Sequence, residues 1–235
     1  MKSFLSMLIG PRVPEEELRA HRVRYFTPTF IFMLARILLL ASIFFPYWQM
    51  ELEAPQYPKG LFLTAYVNNL TEDVKEIDGL NHYIGMRPLG EAAAFERAIA
   101  VWAIIAMFLL VEGAAFVHSR WAVLLAIPAI TFPIAFLADL YYWMRNFGLN
   151  LNPEAPLSNS VKPFVPTVIG EGGIGQFKTY AEVGTGFWMA VGCAALTVIG
   201  FYFHRRAYRP LYLRMKQAAG SGAAQGQQAQ VGSIA

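Results

Sequence analysis

Four long apolar runs dominate the chain, at 25–48, 98–117, 121–143 and 183–203, and polar stretches separate them. Each run matches the ~20 helical residues needed to cross a hydrocarbon core of ~30 Å. Inside lipid every backbone N–H and C=O must find its partner within the segment, so the runs are predicted to be helices. The first run is too long for a signal-peptide core. It ends in Phe44-Phe45-Pro46-Tyr47-Trp48 instead of a small-residue cleavage site, and so reads as a retained span. Spans two and three are so close in sequence that they must form an antiparallel hairpin. Pro128 and Pro133 remove backbone donors from span three and predict a kink there.

The polar stretches differ in kind. Segment 1–24 enters through Pro14 and three glutamates, a helix-start pattern. Loop 49–97 contains the strand-like run Leu61-Phe62-Leu63-Thr64-Ala65-Tyr66-Val67, the turn signal Asn68-Asn69 and a second extended piece at 74–77. Its apolar content predicts an ordered cap. Loop 144–182 carries Pro153, Pro156, Pro163 and Pro166 and predicts an extended strap lying on that cap. The tail 204–235 is first basic and then, from Gly220, rich in Gly, Ala, Gln and Ser, a composition that predicts disorder. The expected fold class is an all-α membrane protein: a four-transmembrane-helix bundle with two ordered extracytoplasmic loops forming a small cap, with room in it for short strands.

Charge orients this layout. Of 235 residues 56% are apolar and 15% charged, against roughly a quarter charged in soluble domains. The net charge of +3 is unevenly placed. Lys2, Arg12, Arg19, Arg22 and Arg24 precede span one, Arg120 sits between spans two and three, and Arg205, Arg206, Arg209, Arg214 and Lys216 follow span four. The two long loops hold seven Lys or Arg against eleven Asp or Glu. Positive residues stay in the cytoplasm, so both termini are expected inside a bacterial inner membrane and both long loops outside. The basic tail is then a topology signal that touches anionic lipid. No folded domain presents those charges to a nucleic acid.

Ionisable groups within the spans are costly and therefore candidates for function. Arg36 lies about 16 Å above the cytoplasmic edge and Glu112 about 9 Å, at ~1.5 Å per residue. A long arginine can bend back toward its partner, so the two are expected to pair, either as a lock between spans one and two or as part of a proton or substrate path. Asp139, near the outer end of span three, either meets Arg97 or Arg145 or faces a site under the cap.

Other chemistry is narrowed by what the residues allow. The one cysteine, Cys193, excludes an intrachain disulfide and a CxxC metal site and reads as a small packing residue. His21, His118 and His204 lie toward the cytoplasmic side, no span has a central histidine and CxxCH is absent, so haem is not expected. The run Gly170-Glu171-Gly172-Gly173-Ile174-Gly175 follows no clear strand and lacks a Lys-Ser/Thr, so it reads as a flexible turn and no nucleotide is expected. No Ser/His/Asp or Cys/His constellation is apparent, so the protein is not expected to be an enzyme. His82 is the only outer histidine. Met86 follows at i+4, and Met50 and Met144 lie near the outer ends of spans one and three. Imidazole and thioether ligands suit copper, and thioether favours Cu(I).

Two loop strings extend this copper reading. Asp78-Gly79-Leu80-Asn81-His82-Tyr83-Ile84-Gly85-Met86, with Tyr57-Pro58-Lys59-Gly60-Leu61 before it, resembles a group of bacterial membrane proteins associated with nitrous-oxide-reductase maturation and periplasmic copper handling. Gly148-Leu149-Asn150-Leu151-Asn152-Pro153-Glu154-Ala155-Pro156 resembles the same group's later loop. The resemblance implies His82 and Met86 as copper ligands; Met50 and Met144 are further candidates from their positions alone. It also implies partners among membrane or periplasmic proteins, met through the outer loops. The Cys-x-Met motif of the partner lipoprotein chaperones is absent. Two functions follow as expectations: a membrane accessory protein for copper handling or metalloenzyme maturation, and a structural or assembly subunit of a respiratory or photosynthetic complex.

Overall fold

The structure, a computed structural model, describes residues 13–117, 121–174 and 177–232. Lys2, Arg12, His118, Arg120 and Gly175, used above as charge or motif markers, lie outside the described residues. The chain is mostly helical. Four helical stretches, Arg22–Phe44, Ala94–Phe116, Ala122–Leu149 and Thr185–Leu211, are long and apolar enough to cross a membrane, and a five-stranded antiparallel sheet caps one end of them.

In chain order the elements are α1 (Glu15–Ala20), α2 (Arg22–Ala41), β1 (Trp48–Ala54), β2 (Tyr57–Ala65), β3 (Leu70–Glu72), α3 (Val74–Ile84), α4 (Ala94–Phe116), α5 (Ala122–Leu149), β4 (Gly170–Ile174), β5 (Phe177–Val183) and α6 (Thr185–Gly232). The first span stops earlier than its apolar run suggests. After a 3-10 turn at Ser42–Phe44 the chain turns extended at Phe45. Pro46 cannot continue a helix, and Trp48 opens a strand. The third span runs on past Trp143 to Leu149 and carries Met144 and Phe147 into the cap. The fourth begins at Thr185 rather than 183 and continues as helix to Gly232, so the expected disorder after Gly220 is not what is observed. Alanine and glutamine are good helix formers, and lengthening an existing helix avoids the nucleation cost.

The sheet order is β3-β2-β1-β5-β4, so the three strands of the first long loop and the two of the second join into one sheet along the β1–β5 ladder. The run 61–67 does contain strand, and Asn68-Asn69 sits in the turn, where Tyr66 N–H donates to Asn69 O at 2.9 Å. Two expectations fail here. The piece 74–77, expected to be extended, is the first turn of α3. Ile77, Asn81 and Ile84 recur at i, i+4 and i+7 and give this segment one buried helical face. The Gly170-Glu171-Gly172-Gly173 stretch, expected to be a turn, is an edge strand paired with β5. The absence of a Cβ is required at Gly172, where one would lie 2.6 Å from Thr167 Oγ1 and 2.7 Å from Thr179 Oγ1.

Two apolar cores result. The bundle core joins Phe32, Ala35 and Leu39 of α2 to Ile104, Met107 and Val111 of α4, Ala129 of α5, and Ala190 and Cys193 of α6. Small residues let helix backbones approach closely. Cys193 is one of them, a buried free thiol. The cap core lies between the inner sheet face (Trp48, Leu52, Leu61, Leu63), α3 and the end of α5. Tyr47 joins the two. Its hydroxyl shares a 2.6 Å hydrogen bond with Ser42 Oγ, its N–H donates to Ala65 O at 2.8 Å, and its carbonyl accepts from Gly184 N–H at 2.9 Å. Burial pushes its phenol up to about 12, against the opposing effect of the Ser42 hydrogen bond.

Candidate functional site

The inner face of the sheet does not close completely onto the helices beneath it. A cavity of about 130 Å³ remains between the sheet, α3 and the last turns of α5. Strand alternation puts Trp48, Met50 and Leu52 on this face of β1, and Leu63 and Ala65 opposite them on β2. Helix α3 contributes Ile77, Leu80, Asn81 and Ile84, and α5 contributes Leu140, Trp143, Met144 and Phe147. The strap closes the remaining side with Phe164 and Pro166. It is tied down by Asn152 N–H to Gly85 O at 2.7 Å, Leu157 N–H to Tyr83 O at 2.9 Å and Phe164 N–H to Gly148 O at 2.9 Å. Trp48 Nε1 donates to Val168 O at 2.6 Å. The expected loop 144–182 thus begins as the last turn of α5, to Leu149, lies on the cap as a strap from 150 to 169, and ends in β4 and β5.

The four copper candidates separate. Met50, Met86 and Met144 all line this cavity, from β1, the turn after α3 and α5 respectively. His82 does not: it is exposed and rests edge-on against Tyr83, with ring centroids 6.2 Å apart. An i, i+4 pair on one helix face would require the helix to continue through Met86. Instead α3 ends at Ile84, and Gly85 turns left-handed at φ 82°. Met86 N–H donates back to Asn81 O at 2.8 Å, which holds the residue in the reversed chain. Among the described residues no three His, Cys, Asp or Glu side chains converge on a metal position.

Asn81 and Trp143 escaped the sequence reading. Asn81 is 7% exposed and its amide nitrogen has no hydrogen-bond partner. The signal was its position on the apolar stripe between Ile77 and Ile84, visible only once the segment is read as helix. The Trp143 indole N–H is directed toward Asp139, one turn earlier on α5, without closing a hydrogen bond of ordinary geometry.

The other candidates lie outside the cavity. Arg36 and Glu112 form the expected ion pair between α2 and α4, and the Arg36 guanidinium lies over the Phe108 ring at 5.5 Å. Asp139 meets neither of its expected partners: among the described residues it makes no ion pair, and Glu96 is the charge beside it. Arg97 is occupied elsewhere and donates to the carbonyls of Ala92 at 3.0 Å and Gly90 at 2.5 Å. No family model matches the chain, and no curated protein matches it.

Proposed function

We propose that the protein is a non-catalytic membrane accessory protein that handles Cu(I) through its cap, in support of a periplasmic metalloenzyme. One observation carries this: Met50 from β1, Met144 from α5 and Met86 from the turn after α3 reach a single apolar cavity. Thioethers are soft ligands suited to Cu(I), and flexible methionine side chains can close in on an ion. Trp48 and Trp143 line the same cavity, and aromatic rings attract cations. No carboxylate lines the cavity. A neutral donor set of this kind suits a single positive charge far better than a double one, because burying charge is expensive. Leu80, Asn81, Ile84 and Met86, from the string that resembles copper-associated membrane proteins, all line the cavity. In this proposal the cap faces the periplasm and both chain ends face the cytoplasm, as the basic residues favour.

The test is titration of the purified protein with Cu(I) against a competing chelator. Met50→Leu, Met86→Leu and Met144→Leu conserve volume. Each is expected to weaken binding by at least about tenfold, the low end for losing even an outer-shell group. His82→Ala is expected to bind as the parent does. Equal binding by all five proteins would remove the proposal.

The Asn81 amide favours a second reading. A cavity of about 130 Å³ approaches the ~150 Å³ hollow that stays dry and holds benzene elsewhere. An uncharged apolar molecule with one hydrogen-bond acceptor would fill it and satisfy Asn81 Nδ2. Asn81→Leu would abolish that binding while leaving Cu(I) affinity intact.

A further inference from the structure

At the end of the bundle opposite the cap, the first turns of α2 and the middle of α6 leave a groove between them. Arg24, Thr27, Phe203, Arg206 and Ala207 line about 420 Å³ of it. A second hollow of about 350 Å³ adjoins it and shares Arg206, with Arg205, Arg209 and Tyr202 around it. Arg24 and Arg206 thus line the groove itself, and Arg205 and Arg209 line the hollow on the other side of Arg206.

Neighbouring acids do not neutralise this cluster. Glu17 of α1 is taken by Arg214, whose Nη1 donates to it at 2.7 Å. Among the described residues Arg24, Arg205, Arg206 and Arg209 make no ion pair. Arg24 is nevertheless held in place, because its Nη2 donates to the Arg206 carbonyl at 2.8 Å. That contact leaves its remaining donors available and fixes the guanidinium against α6. Like charges gathered in this way repel one another unless an anion sits among them, and planar guanidinium forks match phosphate oxygens in pairs.

Depth selects the kind of phosphate. The apolar stretches begin at Arg22 on one helix and end at Leu211 on the other, so the groove lies at the level of lipid headgroups. Phe203 forms part of its wall. Phe26 and Phe30 stack on the outer face of α2 with centroids 6.0 Å apart, 64% and 46% exposed, where acyl chains run. We infer that this groove binds the phosphate headgroup of an anionic phospholipid, gripped chiefly by Arg24 and Arg206. The site is independent of the cap and of what the cap binds.

Native mass spectrometry of the detergent-purified full chain, titrated with phosphatidylglycerol, tests this. Phosphatidylcholine and inorganic phosphate form separate arms. One phosphatidylglycerol per chain should bind saturably, more tightly than phosphatidylcholine, and millimolar inorganic phosphate should not displace it. Arg24→Gln with Arg206→Gln should weaken binding by more than about tenfold, since each basic group at an anionic surface contributes roughly fivefold. Arg19→Gln with Arg22→Gln removes the same charge outside the groove and should change it little. Equal affinity for the two lipids, or equal loss in the two double variants, would overturn the assignment by reducing it to diffuse attraction. Displacement by inorganic phosphate would overturn it in favour of a soluble phosphate site.

Discussion

The bundle and the cap are both built from apolar residues, yet one interior is filled and the other is hollow. In the bundle, Ala35, Ala129, Ala190 and Cys193 bring helices together around Phe32. A Cβ on Gly200 would lie only 2.9 Å from that ring. In the cap, large aromatic and methionine side chains surround about 130 Å³ of space and an amide without a partner. Space of that kind leaves its lining atoms without packing partners on one side. Small residues let the bundle close and serve stability. The cap keeps a costly space, as expected for a region that receives something.

Four measurements would break or sharpen this contrast, each read as stability in detergent. The largest effect is expected at the bundle's ion pair. Arg36→Leu strands Glu112 and should cost about 3 kcal/mol, the low end for a broken buried pair, because the Glu112 side chain is 38% exposed. Adding Glu112→Leu should restore most of the loss. An unchanged unfolding midpoint in the single variant would show that the pair does not hold the bundle.

Next comes the junction. The Tyr47 phenol is raised to about 12 in the fold, against about 10 when unfolded. The unfolded chain therefore loses this proton first. Stability from this group is complete below pH ~10 and declines until pH ~12, by about 3 kcal/mol in all. Tyr47→Phe should remove this component of the alkaline decline. An identical pH profile in the variant would contradict the burial.

Glycines give a smaller and signed comparison. Gly186→Ala would bring a Cβ to 2.5 Å from Phe45 O and should cost about 2 kcal/mol as overpacking. Gly79→Ala, within α3 and with nothing within 4 Å, should instead stabilise by roughly 0.5–1 kcal/mol. An effect as small as that of Gly79→Ala is expected in the cavity itself. Asn81→Leu removes an unsatisfied donor and should gain about 1 kcal/mol; a loss instead would mean that the amide already has a partner.

The sequence exposed different parts of the molecule unequally. Apolar run length is a direct physical demand of the bilayer, so the four long helices were legible, although the ends at Trp48 and Trp143 were not. Those ends are set by Pro46 and by contacts within the cap. The Arg36–Glu112 pair followed from depth alone. Met50 and Met144 could be placed near the cap from their position at the ends of spans. His82 and Met86 part company at the left-handed Gly85, which ends α3 between them, so that Met86 lines the cavity and His82 stays exposed. Strand β4 was hidden because three of its five residues are glycines, which leave almost no side-chain alternation to read. Asn81 went unnoticed because only 74–77 was given a structure, an extended one, so the helical stripe through Ile77, Asn81 and Ile84 was not read.

The ladder between β1 and β5 has a mechanical consequence. Trp48 faces Val183 in that register, just where the chain leaves the first long helix and just before it enters the last. Those two helices are therefore riveted at the cap end by strand hydrogen bonds. Any rocking of one against the other must tear the sheet or pivot about that rivet.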